Sequence, residues 1–174
     1  MKVVNINGPI NSGKSTVSKL LVKKLDNALF IEVDDLLSDE EQELLGLHME
    51  EGWKERTDRL YKLVNEYKKT KQYGVIVFAY PISENLYDEW KTFEDETTLF
   101  VNITLAPSLE VCLTNRGQRK LEDWEINRIK QMYDEGYHNR EFSDLIIDNS
   151  NQTPQETVDN ILDFLSDIKK AHSF

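Results

Sequence analysis

An eight-residue pattern close to the start of the chain limits its possible folds more than any other feature. Residues 8–15, Gly-Pro-Ile-Asn-Ser-Gly-Lys-Ser, fit the pattern G-x-x-x-x-G-K-[ST] at each fixed position. The β-branched run at residues 3–6 precedes this pattern and is typical of a buried strand. Behind it, apolar residues recur at helical spacing from Val17 to Leu25. The sequence therefore predicts a strand, a glycine-rich loop and a helix in direct succession.

This loop has the chemistry of a phosphate cradle. Its glycines let successive backbone N–H groups point inward, and the following helix adds the positive end of its dipole. Lys14 can place its charge on the β- and γ-phosphates and so act in catalysis, and the Ser15 hydroxyl can bind magnesium. The residues predicted to bind a nucleotide here are Gly8, Asn11, Ser12, Gly13, Lys14, Ser15 and Thr16. We expect ATP and Mg²⁺ at this loop.

Strand and helix patterns alternate along the rest of the chain. Strands are predicted at residues 3–6, 28–33, 74–79, 98–105 and 145–148, and helices at residues 17–25, 36–47, 53–69, 83–90, 107–113, 126–137 and 153–165. Ser83 and the capping box of Thr153 and Glu156 predict two helix starts. Strands separated by helices predict a three-layer α/β domain with a parallel sheet and right-handed crossovers. We expect residues 1–174 to form a single domain.

The charge and cysteine content disfavour several classes of protein. The 21 Lys and Arg against 32 Asp and Glu give a net charge of −11. This balance argues against a nucleic-acid partner, although a local basic cleft could exist. Cys112 is the only cysteine, so no intrachain disulfide can form. No apolar run approaches the roughly 18 residues needed to cross a bilayer. We therefore expect a cytoplasmic protein without a membrane partner, and no pattern indicates its oligomeric state.

With this loop at its start and βα units behind it, the chain resembles the small P-loop kinases. These form the nucleoside-monophosphate-kinase-like group, which includes shikimate kinase, gluconate kinase, adenylylsulfate kinase and chloramphenicol phosphotransferase. The resemblance covers the whole chain in layout, but only the loop is specific. It implies a P-loop NTPase domain with a five-stranded parallel sheet of order 2-3-1-4-5, a short mobile lid, and ATP at the loop.

Two acidic residues, Asp34 and Asp35, follow the second predicted strand. A carboxylate at the carboxyl end of that strand would face the γ-phosphate, where it can accept the proton of an attacking hydroxyl or hold magnesium through water. Asp34 matches the position at which chloramphenicol phosphotransferase and its relatives carry an Asp that resembles a catalytic base. Asp35 is a candidate for binding substrate or capping a helix. The alternative is that both simply cap the next helix.

A polar and basic segment, residues 115–121, interrupts the later helices and is the predicted lid. Phosphoryl transfer needs mobile positive charge, and a guanidinium can bind two oxygens at once. The resemblance implies that Arg116 acts in catalysis and that Arg119 binds the nucleotide. Arg128, on the following helix, is a further candidate for closing on substrate. The alternative is that the segment is only solvated surface.

The helix after the second strand carries candidate acceptor-binding residues. Arg56 and Arg59 lie in the segment that, in the resembling shikimate and nucleotide kinases, carries acceptor-binding arginines. Trp53 and Tyr61 could form an apolar wall beside them for a ring. The alternative is that both arginines pair with acidic neighbours such as Glu55 on an exposed face.

The end of the third strand departs from the family pattern. It reads Val-Phe-Ala-Tyr-Pro at residues 77–81, without the acid of a Walker B motif and without the Gly-Gly-Gly turn of shikimate kinase. Shikimate kinase itself is therefore disfavoured, and the lack of an Asn-Lys-x-Asp guanine reader disfavours a GTPase switch. Tyr80 is a candidate for lining the acceptor pocket by stacking or through its hydroxyl.

The leading hypothesis is an enzyme, an ATP- and magnesium-dependent phosphotransferase. It would move the γ-phosphoryl group to a hydroxyl or phosphate of a small molecule, with Ser15 and a carboxylate from Asp34 or Asp35 organising the metal. One alternative is a nucleotide-binding switch without an acceptor, which the missing acid of the third strand favours. Another is a polynucleotide 5′-kinase, which the net charge of −11 opposes. The identity of the acceptor is not encoded in any pattern that we recognise.

Overall fold

The computed structural model describes residues 1–114 and 120–171. Its centre is a parallel sheet of strands β1 (Lys2–Asn7), β2 (Ala28–Ile31), β3 (Val75–Ala79), β4 (Leu99–Leu105) and β5 (Leu145–Ile147). Across the described residues the five-stranded order is β2-β3-β1-β4-β5, which confirms the expected topology. Lys2 of β1 pairs in register with Val75 of β3 and Leu99 of β4. The carboxyl ends of the strands therefore meet at one edge of the sheet.

Helices cover both faces of the sheet. They are α1 (Lys14–Lys24), α2 (Asp39–Leu44), α3 (Met49–Thr70), α4 (Glu84–Lys91), α5 (Leu109–Cys112), α6 (Asp123–Asp134) and α7 (Pro154–Ala171), with a short 3₁₀ helix at Val33–Leu36. The predicted starts of α4 and α7 are confirmed, because Ser83 accepts a hydrogen bond from Leu86 N and Thr153 forms a reciprocal capping box with Glu156. No helix among residues 1–114 and 120–171 is long and apolar enough to cross a membrane.

The alternation of β1 divides the core in two. Val4 and Ile6 face α1 and α7, whereas Val3 faces the cluster that contains residues of α3 and α4. Asn5 and Asn7 follow Val3 at strand spacing and are fully buried. The Val3 face of β1 is therefore apolar where the strand begins and polar where it ends.

Several predicted element bounds differ from the structure, and three of the differences have a local reason. The second strand ends at Ile31, because the backbone turns into the 3₁₀ helix with Asp35 N donating to Glu32 O at 3.2 Å. The helix predicted at residues 36–47 is only α2, which Gly46 ends at a φ of 65°. Tyr137 lies beyond α6, since that helix stops at Asp134 ahead of a Gly with a φ of 74°.

Candidate active site

The carboxyl ends of the central strands open into a cavity of about 1100 Å³. Its lining comes from the loop after β1, the segment after β2, the end of β3, the helices α3 and α6, and the loop after β5. Ligands in open α/β sheets bind at this edge. The volume is at the upper end of the usual range for small-molecule sites, so it can hold two small molecules side by side.

The phosphate loop, residues 8–16, owes its curvature to two glycines. Gly8 has a φ of 138° and Gly13 a φ of 98°, which side chains disfavour. A Cβ on Gly8 would also lie 2.5 Å from Leu105 O, so only glycine fits there. Asn11 has a φ of 63°, and its side-chain amide donates to Cys112 O at 2.8 Å and Thr114 O at 2.9 Å. Asn11 thus anchors the loop to the segment that precedes residue 115.

The polar side chains of the phosphate loop lie at the cavity or beneath it. Lys14 Nζ donates to Gly8 O at 3.0 Å and to Pro9 O at 2.7 Å, so the ammonium group spans the loop. Ser15 and Thr16 line the cavity at the start of α1. Ser12 is fully buried, and its carbonyl accepts a hydrogen bond from Asn149 of the loop after β5. Ser12 therefore supports the loop from below, whereas Lys14, Ser15 and Thr16 face the cavity.

Glu32 is a site residue that the sequence reasoning missed. It lines the cavity directly after β2, accepts a hydrogen bond from Ser15 Oγ at 3.4 Å, and pairs with Lys19 at 3.0 Å. Glu32 and Asp34 both line the cavity, whereas Val33 between them is buried. The alternation is present in the sequence, but the strand predicted at residues 28–33 makes Glu32 an interior position of that strand.

Asp34 lies in the cavity beside the phosphate loop. Its side chain is accessible from the cavity, but the surrounding protein removes enough water that desolvation raises its pKa, and the charge of Glu32 raises it further. Arg56 and Lys14 oppose this shift. The site therefore favours protonation of Asp34 more than open solution does, although Lys14 and Arg56 stabilise the carboxylate.

Asp35 is not part of the cavity lining. Its side chain is exposed, and its backbone closes the 3₁₀ helix after β2. The interpretation of Asp34 and Asp35 as caps of the next helix is wrong, because Ser38 caps α2 by accepting a hydrogen bond from Glu41 N at 3.1 Å.

The two arginines of α3 have separate positions. Arg59 pairs with Glu41 and Glu55 at 2.8 Å each and donates to Leu36 O at 2.9 Å, away from the cavity lining. This arrangement matches the acidic-pairing interpretation and does not bring Arg59 to the site.

Arg56 is buried behind the cavity wall. It donates to Gln42 Oε1 at 2.9 Å, pairs with Asp39 at 3.6 Å, and lies over the Trp53 ring at 5.1 Å from the ring centroid. Arg56 is not in the lining, but its charge acts on the pKa of Asp34. Arg56 therefore acts on the site through its charge, from behind the cavity wall.

Trp53 and Tyr80 form one side of the cavity, here called the aromatic wall. Their ring centroids are 6.0 Å apart with an interplanar angle of 53°. Burial raises the pKa of Tyr80 to about 12, so its hydroxyl keeps its proton at neutral pH. Tyr61 was predicted to share this wall, and that prediction is wrong. Its ring packs edge-on against Phe93 at 4.4 Å in the core, because Tyr61 lies on another side of α3.

Arg128 of α6 and Tyr137, which follows α6, also line the cavity. Arg128 donates two hydrogen bonds of 3.1 Å to Glu135. Tyr137 has Arg140 over its ring at 4.0 Å. The predicted lid arginines, Arg116 and Arg119, lie outside the described residues.

A family model described as an AAA domain matches residues 4–134. The chain belongs to this family. The match to the AAA domain includes β1 to α6 and therefore the phosphate loop, Glu32, Asp34, the aromatic wall and Arg128. Strand β5, Tyr137 and helix α7 follow it.

Individual relatives agree with this assignment. A shikimate kinase from Sulfurihydrogenibium sp. (strain YO3AOP1) is 26% identical over 167 residues, which cover 93% of this chain and 96% of the relative. The crystal structure of shikimate kinase from Aquifex aeolicus has the same fold, with 21% identity, full coverage of both chains and a TM-score of 0.56. A gluconokinase from Sinorhizobium meliloti 1021 has 17% identity, 98% and 94% coverage, and a TM-score of 0.66. The expected likeness to small P-loop kinases is confirmed.

Proposed function

We propose that this protein is an ATP- and magnesium-dependent phosphotransferase that acts on a hydroxyl of a small molecule. The observation that carries the proposal is the position of Asp34, which shares one cavity with Lys14 and Ser15 of the phosphate loop and with the aromatic wall. A carboxylate between a phosphate cradle and open space is what transfer to an alcohol requires. The similar proteins named as shikimate kinase and gluconokinase support the reaction class.

The phosphate loop would hold the nucleotide by its phosphates. Gly8 and Gly13 turn the backbone so that N–H groups face the cavity, and α1 adds the positive end of its dipole. Lys14 would exchange its contacts with Gly8 O and Pro9 O for the β- and γ-phosphates. Gln152 and Pro154 line the cavity after β5, and the adenine base of the nucleotide would lie beside them.

Magnesium fits the oxygen donors at the start of α1. Ser15 Oγ, Glu32 and Asp34 all line the cavity, and hard cations prefer such ligands. Among the described residues no three His, Cys, Asp or Glu side chains form a metal cage. This suits Mg²⁺, which is usually held by one or two carboxylates together with phosphates and water. When bound, the ion would neutralise charge on the β- and γ-phosphate oxygens. Glu32 thereby joins Ser15 and Asp34 as a proposed metal residue.

Asp34 would act as the base. Its carboxylate accepts the proton of the acceptor hydroxyl while the hydroxyl oxygen bonds to the γ-phosphorus. The bond from that phosphorus to the bridging oxygen breaks, and ADP leaves. Desolvation raises the pKa of Asp34, and this increases its proton affinity without removing the charge that Arg56 and Lys14 stabilise. Lys14 would stabilise the charge on the transferring group.

The proposal also assigns roles to the predicted lid and to the arginines in and after it. Residues 1–174 would form one domain with a short lid at about residues 115–121. Arg116 would act on the transferring group, Arg119 on the nucleotide, and Arg128 on the acceptor or the closed lid. The contacts of Asn11 with Cys112 O and Thr114 O join the segment before this lid to the phosphate loop.

The test is ATP consumption against a panel of small-molecule alcohols, with and without magnesium. We expect at least one acceptor to raise ATP consumption only when magnesium is present. Asp34→Asn should lower this turnover by about 10²-fold or more, since general-base catalysis contributes that much. Asp35→Asn is the matched control, because Asp35 is exposed outside the cavity lining, and it should stay near the wild-type rate.

Two results would contradict the proposal. One is phosphoryl transfer that Asp34→Asn leaves intact. The other is slow ATP hydrolysis that no acceptor raises, which is the behaviour of a nucleotide-dependent switch.

A further inference from the structure

Six apolar and aromatic side chains, here together called the aromatic region, line the cavity. They are Met49, Trp53, Tyr80, Trp124, Met132 and Tyr137. Tyr80 lies close enough to Asp34 and Tyr137 that both raise its pKa, after burial as the main cause. The proposed base therefore borders this aromatic region.

Large apolar side chains are left open to solvent at this region. Trp53 is 42% exposed, Met49 75% and Trp124 61%. Large apolar side chains that remain exposed around one cavity usually mark a binding surface. Because all three also line one cavity, a ligand that enters it would cover them.

Among the described residues, two cations near this region, Arg56 and Arg128, already have partners. Arg56 is buried, donates to Gln42 Oε1 and lies 3.6 Å from the exposed Asp39, and Arg128 donates to both carboxylate oxygens of Glu135. An anionic ligand would have to break these contacts before either guanidinium could bind it.

Negative charge is present on the cavity side. Glu32, Asp34 and Glu125 line the cavity, together with Lys14 and Arg128 among the described residues. Glu32 pairs with Lys19 at 3.0 Å, and Glu125 is buried and accepts a hydrogen bond from Glu122 N, so Asp34 is the acid that matters most to a ligand here. Lys14 belongs to the phosphate loop, so it serves the nucleotide. A carboxylate beside Asp34 would meet a like charge, which costs affinity.

The backbone of the aromatic wall is fixed by buried asparagines. Asn5 Nδ2 donates to Tyr80 O at 3.0 Å, and Asn5 Oδ1 accepts from Tyr80 N at 3.1 Å. Asn7 Oδ1 accepts from Ile82 N at 3.1 Å. The wall is thus preorganised, which lowers the entropy cost of stacking a ring on it.

We infer that the acceptor is an uncharged or cationic ring-bearing alcohol, held by its ring against Trp53 and Tyr80, and not a carboxylate-bearing alcohol. A flat ring gains stacking contact with the two rings, and an ammonium group gains the faces of the rings together with the neighbouring Asp34 carboxylate. The inference rests on the proposed function, since it names the class of alcohol that would receive the phosphoryl group.

Three probes with the same ring and hydroxyl isolate the charge. They are 4-(hydroxymethyl)benzamide, 4-(hydroxymethyl)benzylamine and 4-(hydroxymethyl)benzoate. Each is titrated, without ATP, into protein labelled with ¹⁵N at its tryptophans. The chain has three tryptophans, and each contributes one indole signal. We expect the amide and the amine to shift the Trp53 signal and to leave that of Trp90, which is 2% exposed in the core. The benzoate should bind at least about tenfold more weakly.

Variants of Trp53 test the wall itself. Both variants lack the Trp53 indole signal, so their affinities are measured by isothermal titration calorimetry. Trp53→Ala should weaken binding of the amide by about tenfold, and Trp53→Phe, which keeps a ring, should retain most of the affinity. The unchanged Trp90 signal reports that the core is folded in both variants. Equal binding of benzoate and amide would overturn the inference. So would full affinity in Trp53→Ala, or no binding of the amide at millimolar concentration.

The proposed function and the inference about the acceptor can fail independently of each other. If no alcohol in the panel receives phosphate, the reaction is wrong, whereas the three probe affinities still decide which ligand charge the cavity accepts. If a carboxylate-bearing alcohol is phosphorylated efficiently and the benzoate binds well, the reaction stands and the inference is wrong.

Discussion

The phosphate loop and the aromatic wall line the same cavity but are built in different ways. The loop is a continuous stretch of nine residues whose shape follows from backbone conformation, with positive φ values at Gly8, Asn11 and Gly13. The wall joins Trp53 of α3 to Tyr80 after β3, which are 27 positions apart in the sequence (80 − 53), and buried Asn5 fixes the latter. A local site of this kind can be recognised from its residues, whereas an assembled site depends on the fold.

The largest expected effect is on the loop side. Lys14→Ala should reduce phosphoryl transfer by about 10²–10³-fold, since a preorganised charge on the transferring group is lost. Lys23→Ala is the matched control, because Lys23 is exposed on the same helix, and its transfer rate should be unchanged. Both are read in the acceptor-stimulated ATP assay with urea unfolding as a fold check. A folded Lys14→Ala enzyme with full activity would remove the loop from the mechanism.

Gly8→Ala tests whether backbone shape alone makes the loop. The added Cβ would meet Leu105 O at 2.5 Å at a φ of 138°, so we expect the free energy of unfolding to fall by about 2–4 kcal/mol. Gly74→Ala is the control, because its nearest contact would be 3.6 Å away. Urea unfolding measures both, and an equal loss in the two variants would contradict the local explanation.

Asn5→Ala tests the wall in the corresponding way. It removes both hydrogen bonds to the Tyr80 backbone and the 2.8 Å bond to Asn102 Oδ1, leaving buried polar groups without partners. We expect the free energy of unfolding to fall by about 1–3 kcal/mol. Asn85→Ala, exposed on α4, should stay within about 0.5 kcal/mol of wild type. If Asn5→Ala were as stable as the control, the asparagine would not be what fixes the wall.

Glu32→Gln tests whether Glu32, beside the phosphate loop, belongs to the metal site. The half-saturating magnesium concentration for transfer should rise about tenfold, as is usual when a group around a metal loses its charge. Glu40→Gln, exposed on α2, should leave it unchanged. A magnesium titration of the transfer rate measures both, and identical curves would limit the metal site to Ser15 and Asp34.

The smallest effect is a shift in pH dependence. Burial and Glu32 raise the pKa of Asp34, and Arg56 opposes them by favouring the carboxylate. Arg56→Met should therefore raise this pKa further and move the acidic limb of kcat/KM to higher pH, because the base must be unprotonated. Arg59→Met is the matched control, since Arg59 is held by Glu41 and Glu55 outside the cavity lining. A limb that moves equally in both variants would reject this coupling.

Much of the fold was predictable because the signals are local. The strand runs, the Ser83 cap and the Thr153 capping box all placed elements correctly. The sheet order followed from the resemblance to P-loop kinases and is confirmed. The end of β2 was wrong, because Glu32, Asp34 and Asp35 lie within or beside an otherwise apolar run, and only the 3₁₀ turn shows that the strand has ended.

The misplaced and missed site residues share one cause. Trp53 and Tyr61 both flank the arginines of α3 in the sequence, but which of them faces the cavity depends on how the helix sits on the sheet. Tyr61 turns into the core against Phe93, whereas Trp53 meets Tyr80. Glu32 carries no motif of its own, and its role emerges only where β2 lies beside the start of α1, at 3.4 Å from Ser15 Oγ.

The sequence by itself determined the phosphate loop and the alternation of strands and helices, because both depend on conformational preferences over a few consecutive residues. The tertiary structure decided which distant side chains share the cavity. It brought Glu32, Asp34 and the aromatic wall to the loop and kept Asp35 and Arg59 outside the cavity lining. The physical reason is that helix rotation and sheet packing are set by burial across the whole core, where Val3, Leu60, Phe78 and Trp90 pack together.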